Sequence, residues 1–167
     1  MEHYKVCVKT PLGILEIIES NNKINSVRFK NKNEDILNNT PLLTEAKKQI
    51  EAYFKGNLFK FDLPLHIEGT VFQKRVYKSL QMIEYGKTKS YGQIIDAEEN
   101  ADLGEIKNNK SNHYARAVGR AVSKNNILII LPCHRVINTN GTLGGFSSGL
   151  WRKVYLLNME KQYFCKI

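Results

Sequence analysis

The residues with the most chemistry to offer stand together at Cys133-His134-Arg135-Val136, directly after Pro132. A thiol beside an imidazole is a pairing suited to nucleophilic catalysis, in which the imidazole takes the thiol proton and the thiolate attacks an electrophilic carbon. The imidazole and the guanidinium beyond it are both expected to lower the thiol pKa toward neutrality and so to raise the thiolate fraction. Cysteine is also among the most often buried and inert residues, so adjacency alone leaves a packed, unreactive thiol as the alternative. The chain holds three cysteines, Cys7, Cys133 and Cys165, too few and too scattered for a disulfide scaffold or a paired-cysteine metal site. His3, His66 and Cys7 follow no zinc spacing, so neither a metal nor another cofactor is expected. A reactive free thiol needs a reducing, cytoplasmic setting.

The elements that must position this thiol follow from hydropathy and turn residues. The apolar run Ile127-Leu128-Ile129-Ile130-Leu131 has the length of a buried strand, and Pro132 ends it, which is expected to bring Cys133 to a strand edge at a cavity wall. Earlier in the chain, Tyr4-Lys5-Val6-Cys7-Val8 alternates, Ile14-Leu15-Glu16-Ile17-Ile18 follows a Pro-Leu-Gly turn, and a third strand fits 24–29. Asn31, Asn33, Asn38 and Asn39 mark a loop. Helical spacing over 44–54 places Ala46, Ile50, Tyr53 and Phe54 together, with Gly56 ending the helix. Leu63-Pro64-Leu65 reads as a linker, and 71–83 is helical with Val71, Phe72, Val76, Leu80 and Ile83 on one face. Residues 90–124 read as two short helices in a helix-turn-helix, the second beginning near Tyr114. On that second helix Arg116, Arg120 and Lys124 recur every four residues as a basic stripe, while Ala117, Gly119 and Ala121 are small enough for close approach to a groove, and Ala115 joins them as a candidate DNA contact. A solvated helix face is the ordinary alternative for such a stripe.

Of the 167 residues 42% are hydrophobic, enough for a packed core, and the net charge is +9. The charge is uneven: ten basic and nine acidic residues lie up to Glu68, against fifteen and seven beyond it. Five of those seven acids, Asp96, Glu98, Glu99, Asp102 and Glu105, sit in one stretch, which leaves the rest of the C-terminal surface strongly basic and suited to a polyanion. The longest apolar run is five residues, and the N-terminal residues lack the apolar stretch of a secretory signal, so no membrane contact is expected.

An ordered set of segments resembles the O6-alkylguanine-DNA alkyltransferase family over nearly the whole chain. These are Thr10-Pro11-Leu12-Gly13; Ala52-Tyr53-Phe54-Lys55-Gly56, leading to Phe61-Asp62-Leu63-Pro64-Leu65; and Gly69-Thr70-Val71-Phe72-Gln73-Lys74-Arg75-Val76. Tyr85-Gly86-Lys87-Thr88-Lys89-Ser90-Tyr91-Gly92, Ala115-Arg116-Ala117-Val118-Gly119, Asn125, Pro132-Cys133-His134-Arg135-Val136 and Gly144-Gly145-Phe146-Ser147-Ser148-Gly149-Leu150 follow. The resemblance implies an α+β chain, with an N-terminal antiparallel sheet plus helix, ribonuclease H-like, at 1–66. A helical, winged-helix-like catalytic and DNA-binding domain at 67–167 completes it.

The implied activity is DNA repair by a single-turnover, irreversible transfer of an alkyl group from O6-alkylguanine, and from O4-alkylthymine, to Cys133. The implied partner is double-stranded DNA, bound by a monomer, with the damaged base flipped out. Residue by residue, the resemblance makes Cys133 the nucleophile, His134 its water-mediated base, Glu160 the carboxylate that orients and charges His134, and Asn125 the brace of the turn. Without it Glu160 reads as a surface acid on a helix over 150–161. Tyr91 is implied as the proton donor toward guanine N3, and Arg116 as the side chain that fills the space of the extruded nucleotide from the minor groove. The carbonyls of Cys133 and Val136 are implied acceptors for the base's exocyclic amine, and Phe146, Ser147 and Ser148 lie in the glycine-rich loop that closes on the base.

Three features depart from the family pattern. Tyr91 and Arg116 are 25 positions apart, an excess of roughly ten residues that holds the acidic cluster and is expected to project away from DNA. Phe146 stands where many relatives carry tyrosine, and Asn126 where proline is usual. Three competing functions fit the sequence less well. A damage-sensing relative would carry tryptophan in place of Cys133, a transcriptional sensor would need a further DNA-binding domain, and a Cys-His hydrolase would give the basic helix no purpose.

Overall fold

The computed structural model describes residues 3–31, 40–94 and 111–165. The acidic cluster of 96–105, the Asn33, Asn38 and Asn39 loop and most of the first helix expected in the helix-turn-helix lie outside them. The chain is α+β. Three strands, β1 (Tyr4–Thr10), β2 (Gly13–Ser20) and β3 (Lys23–Lys30), form an antiparallel meander in the order β1-β2-β3. The β1-β2 register pairs Val6 with Ile17 and Val8 with Leu15, and Gly13, at φ +111°, makes the tight turn between them.

Helix α1 (Pro41–Phe54) packs on this sheet. Thr40 caps it, its hydroxyl accepting from Leu43 N at 3.1 Å, with Pro41 pre-set for the first turn. Leu43, Ala46, Ile50 and Tyr53 face inward at helical spacing. Helix α2 (Val71–Gln81) begins with a reciprocal cap: Thr70 Oγ1 accepts from Gln73 N and Gln73 Oε1 from Thr70 N. It packs against α3 (Ser111–Ser123), which begins three residues before Tyr114. Helix α4 (Leu150–Phe164) follows Gly149, whose φ is +100°.

The apolar run before Pro132 is not a strand. Ile127 bridges Val27 of β3, and Leu128 N donates to Val27 O at 3.0 Å. The chain then turns back on itself, with Leu131 N donating to Ile127 O at 3.0 Å and Ile129 at φ +72°. A β-branched residue in the left-handed region is strained, and here it is held within a run of five buried apolar residues, itself included. Length and hydropathy predicted the burial, and they carry no information about a turn made by such residues. Instead of running out of a sheet, the segment ties the N-terminal meander to the turn that carries Cys133.

Two short strands complete the frame. β4 (Lys89–Ser90) pairs in parallel with β5 (Val136–Ile137), Lys89 against Val136 and Ser90 against Ile137. Tyr91 therefore leaves β4 beside the chain that has just passed Cys133-His134-Arg135. Among the described residues no helix is long and apolar enough to cross a membrane.

Candidate active site

Cys133, His134 and Arg135 form one 3-10 turn, and all three side chains are buried, Cys133 with 3% exposure. Asn125, two residues past the end of α3, spans the turn that precedes them. Its Oδ1 accepts from Ile127 N at 2.9 Å, and its Nδ2 donates to Leu131 O at 3.0 Å and to Cys133 Sγ at 3.1 Å. The brace expected of Asn125 thus reaches the sulfur itself.

The electrostatics reverse the expected thiol activation. Burial pushes the Cys133 pKa up to about 11, against the Asn125 hydrogen bond, the Lys153 charge and the backbone N–H groups of Cys133 and His134. Burial also pushes the His134 pKa below its ordinary value, although the Glu160 carboxylate works in the opposite direction. Thiol and imidazole are therefore both neutral at rest. Adjacency predicted a lowered thiol pKa because it carries no measure of desolvation, which here outweighs the favourable neighbours.

Behind His134 lies a buried charged cluster. His134 Nε2 donates to Glu160 Oε1 at 2.8 Å, since a carboxylate offers only acceptors. Arg135 donates from Nη2 to the same oxygen at 2.9 Å, from Nε to Oε2 at 2.9 Å, and from Nη1 to Ile83 O at 2.7 Å. Gly86 N donates to Glu160 Oε2 at 3.2 Å and Tyr53 Oη to Oε1 at 2.6 Å. Burial would raise the Glu160 pKa, but His134 and Arg135 outweigh it and hold the carboxyl well below the usual range. Glu160 is the buried carboxylate beside His134 and not a surface acid.

Lys153 lies on the same face of α4, seven residues or about two turns before Glu160. Its ammonium donates to Val136 O at 2.6 Å, to Leu143 O, and to Gly145 O at 3.3 Å, which occupies all three N–H groups. Burial lowers its pKa to about 8, opposed by Cys133. It fixes the loop over 143–145 against the turn carrying Val136.

Cys133 lies in the lining of a cleft of about 760 Å³, together with Tyr91, Ala115, Arg116, Phe146 and Ser147. That volume lies in the range of roughly 300–1,000 Å³ usual for small-molecule sites. Tyr91 is half-buried and packs between two glycines. A Cβ on Gly144, whose φ is +67°, would come within 3.1 Å of the Tyr91 ring edge and hydroxyl, and one on Gly119 within 3.8 Å of the ring. Burial, and then the charge Cys133 carries when it ionises, raise the Tyr91 pKa, so its hydroxyl stays protonated.

The other predicted residues are spread more widely. Gly119 lines the cleft, as does Val122. Ala117, Arg120, Val136 and Ser148 lie outside its lining, and Arg120 is exposed. Lys124 falls one residue past the end of α3 and lines a smaller cleft of about 190 Å³ with His3, His66 and Glu68. Among the described residues no three His, Cys, Asp or Glu side chains are grouped as a metal site. Three site neighbours were not predicted: Arg135 as the partner of Glu160, Lys153 and Tyr53. The spacing of seven between Lys153 and Glu160 was a usable signal for a shared helix face. Nothing in the sequence joins Tyr53 to a residue 107 positions away.

Comparison with known proteins identifies the family. The curated methylated-DNA–protein-cysteine methyltransferase of Methanosarcina acetivorans is 39% identical over 163 residues, covering 94% of this chain and 97% of that protein. The crystal structure of Mycobacterium tuberculosis O6-methylguanine methyltransferase superposes with a TM-score of 0.79 at 34% identity, over 97% of this chain and 94% of that one. A crystal structure of that organism's OGT in complex with DNA gives 0.77 at the same 34% identity, over 98% and 94%. Residues 3–67 match the 6-O-methylguanine DNA methyltransferase ribonuclease-like domain and residues 71–162 its DNA binding domain, and the chain belongs to that family.

Proposed function

We propose that this protein repairs O6-alkylguanine, and O4-alkylthymine, in double-stranded DNA by moving the alkyl group irreversibly onto its own Cys133. The observation that carries this reading is the position of Cys133 in the lining of a base-sized cleft, its sulfur 3.1 Å from the Asn125 amide, with Tyr91 and Arg116 on the walls. A stacked guanine cannot present its O6 substituent in line to such a sulfur, so the base is extruded into the cleft. Arg116, exposed on α3, enters the space it leaves, and the basic C-terminal surface holds the phosphates.

In the transfer step the Sγ–C bond forms as the C–O6 bond breaks. The thiol proton passes through a water to His134 Nδ1. This nitrogen is buried and without a partner among the described residues, while Nε2–H stays on Glu160. The negative charge left on guanine is quenched at N3 by the Tyr91 hydroxyl, which regains through solvent the proton that His134 releases, so protein and base both end neutral. Because the resting thiol and imidazole are neutral, the proton moves as the sulfur attacks. Val136 and Cys133 offer carbonyls to the exocyclic amine, and Phe146, Ser147 and Ser148 close over the base. The resulting thioether is a poor leaving group, and the protein acts once, as a monomer, in a reducing cytoplasm. Residues 1–66 act as a supporting domain for a catalytic unit at 67–167.

The test is to mix the protein with excess duplex containing one O6-methylguanine and follow loss of the lesion. The reading predicts a single burst equal to the amount of protein and no further turnover. Continued turnover, or tight binding with no loss of lesion, would contradict it.

A further inference from the structure

Tyr53 lies on α1, in the segment that matches the ribonuclease-like domain, yet its hydroxyl ends inside the charged cluster that α4 and the Cys133 turn build. The side chain is fully buried. Its ring is fixed by edge contacts with Phe54 and Tyr85, at centroid distances of 5.3 and 5.8 Å, and by a tilted contact with Phe61 at 5.3 Å. The hydroxyl donates to Glu160 Oε1 at 2.6 Å, a shorter bond than the 2.8 Å one from His134 Nε2 to the same oxygen. It also lies 3.4 Å from His134 Nε2.

We propose that Tyr53 is a positioning residue for the proton transfer, acting across the molecule through Glu160 on His134. The proposal rests on the reading of His134 as the base for Cys133. Glu160 Oε1 receives donors from Tyr53, His134 and Arg135, so the carboxylate is pinned against rotation about its long side chain. An ionised, pinned Oε1 accepts only from a protonated Nε2, which leaves Nδ1 as the bare, basic nitrogen of a neutral ring. Every donor on Oε1 also draws charge away from it and weakens its hold on an imidazolium. Tyr53 thereby fixes the tautomer and keeps the ring's affinity for a proton low, so that the proton His134 accepts is not trapped on it.

The charged and titratable groups facing His134 are Glu160 and Lys153 from α4, Arg135 and Cys133 from its own turn, and Tyr53 from α1. Of these, Tyr53 can lose its polar atom without changing a formal charge, because burial and then Glu160 raise its pKa well above 10 and keep it neutral.

The experiment is the single-turnover methyl transfer rate from duplex DNA carrying one O6-methylguanine, measured from pH 5 to 9 for wild type, Tyr53→Phe and Tyr85→Phe. Tyr85 is the matched control: it is buried beside Tyr53, and among the described residues its hydroxyl has no hydrogen-bond partner. Tyr53→Phe is expected to lower the plateau rate about tenfold. It should also move the acid limb, where His134 becomes protonated, to higher pH, while Tyr85→Phe moves neither. Para-aminophenylalanine at position 53, which restores an N–H donor, is expected to return the limb toward wild type. An unmoved limb in a folded Tyr53→Phe protein overturns the inference and leaves the repair reading intact. Should Tyr53→Phe fail to fold, ¹⁵N-imidazole NMR of the wild-type protein decides the matter: protonated Nε2 with bare Nδ1 supports the proposal, and the opposite tautomer overturns it. Absence of transfer by wild type overturns both.

Discussion

Glu160 has four groups of this chain donating to it, from Tyr53, His134, Arg135 and Gly86, whereas Arg116 on the cleft wall is exposed to solvent. The two parts of the site meet at Cys133, which touches Asn125 on one side and lines the cleft on the other. Behind the sulfur, the Glu160 carboxylate and its donors are paired and desolvated before any ligand arrives, with His134 Nδ1 left bare, so geometry and proton affinities are set by folding. In front of it, the cleft is open and Arg116 on its wall is exposed. The same kind of residue therefore has opposite consequences in the two places. Arg135 neutralises a buried carboxylate and belongs to stability, whereas Arg116 stands exposed on the cleft wall, where the proposed repair assigns it to binding.

The sharpest way to break this contrast is to exchange charge for amide behind the sulfur. Glu160→Gln leaves Arg135 buried without its counter-charge, a loss of about 3–5 kcal/mol. In a chain of this size that lowers Tm by about 10 °C, and transfer should fall at least a hundredfold. Calorimetry and single-turnover kinetics check the two effects. Arg116→Ala is next: affinity for lesion-bearing duplex and the transfer rate should drop about tenfold or more, with Tm within about 1 °C of wild type. A large fall in Tm would show that the open wall is structural after all.

The pH dependence of stability separates the regions further. The folded pKa of Glu160 is depressed, so its contribution is present above the unfolded carboxylate value near 4.3 and is lost as pH falls below it. The folded pKa of His134 is also depressed, so the unfolded chain binds more protons below about pH 6.5 and stability falls with acid there too. Denaturant unfolding should therefore show stability declining in two stages, below about pH 6.5 and again below about pH 4.3, with the upper stage missing in His134→Ala. Phe146→Tyr is the smallest change. It adds a hydroxyl to the open wall and should alter the transfer rate by no more than about fivefold, with unchanged stability.

The open half was the more legible in sequence. A basic stripe at helical spacing and a glycine-rich loop leave local patterns, and α3 carries Arg116 and Arg120 on its exposed side as expected. The meander and α1 were legible for the same reason, since alternation and period are local. The buried half was not. On α4, Lys153 and Glu160 point inward while Trp151, Val154 and Tyr155 are exposed, which inverts the hydropathy that predicts a helix's inner face. Those charges are tolerated inside only because partners from α1, the Cys133 turn and the loop over 143–145 satisfy them, and such partners come from distant sequence. The run from Ile127 to Leu131 misled in the same way, because its turn is held by tertiary burial and not by turn residues.

The central claim is that Cys133 itself receives the alkyl group. Peptide mass spectrometry after incubation with duplex DNA containing one O6-methylguanine tests it, with Cys133→Ala as the control. The account predicts one added methyl on the Cys133 peptide, in amount equal to the lesion lost, and none in the control. A methyl on Cys7 or Cys165, or lesion loss with Cys133 unmodified, would contradict it.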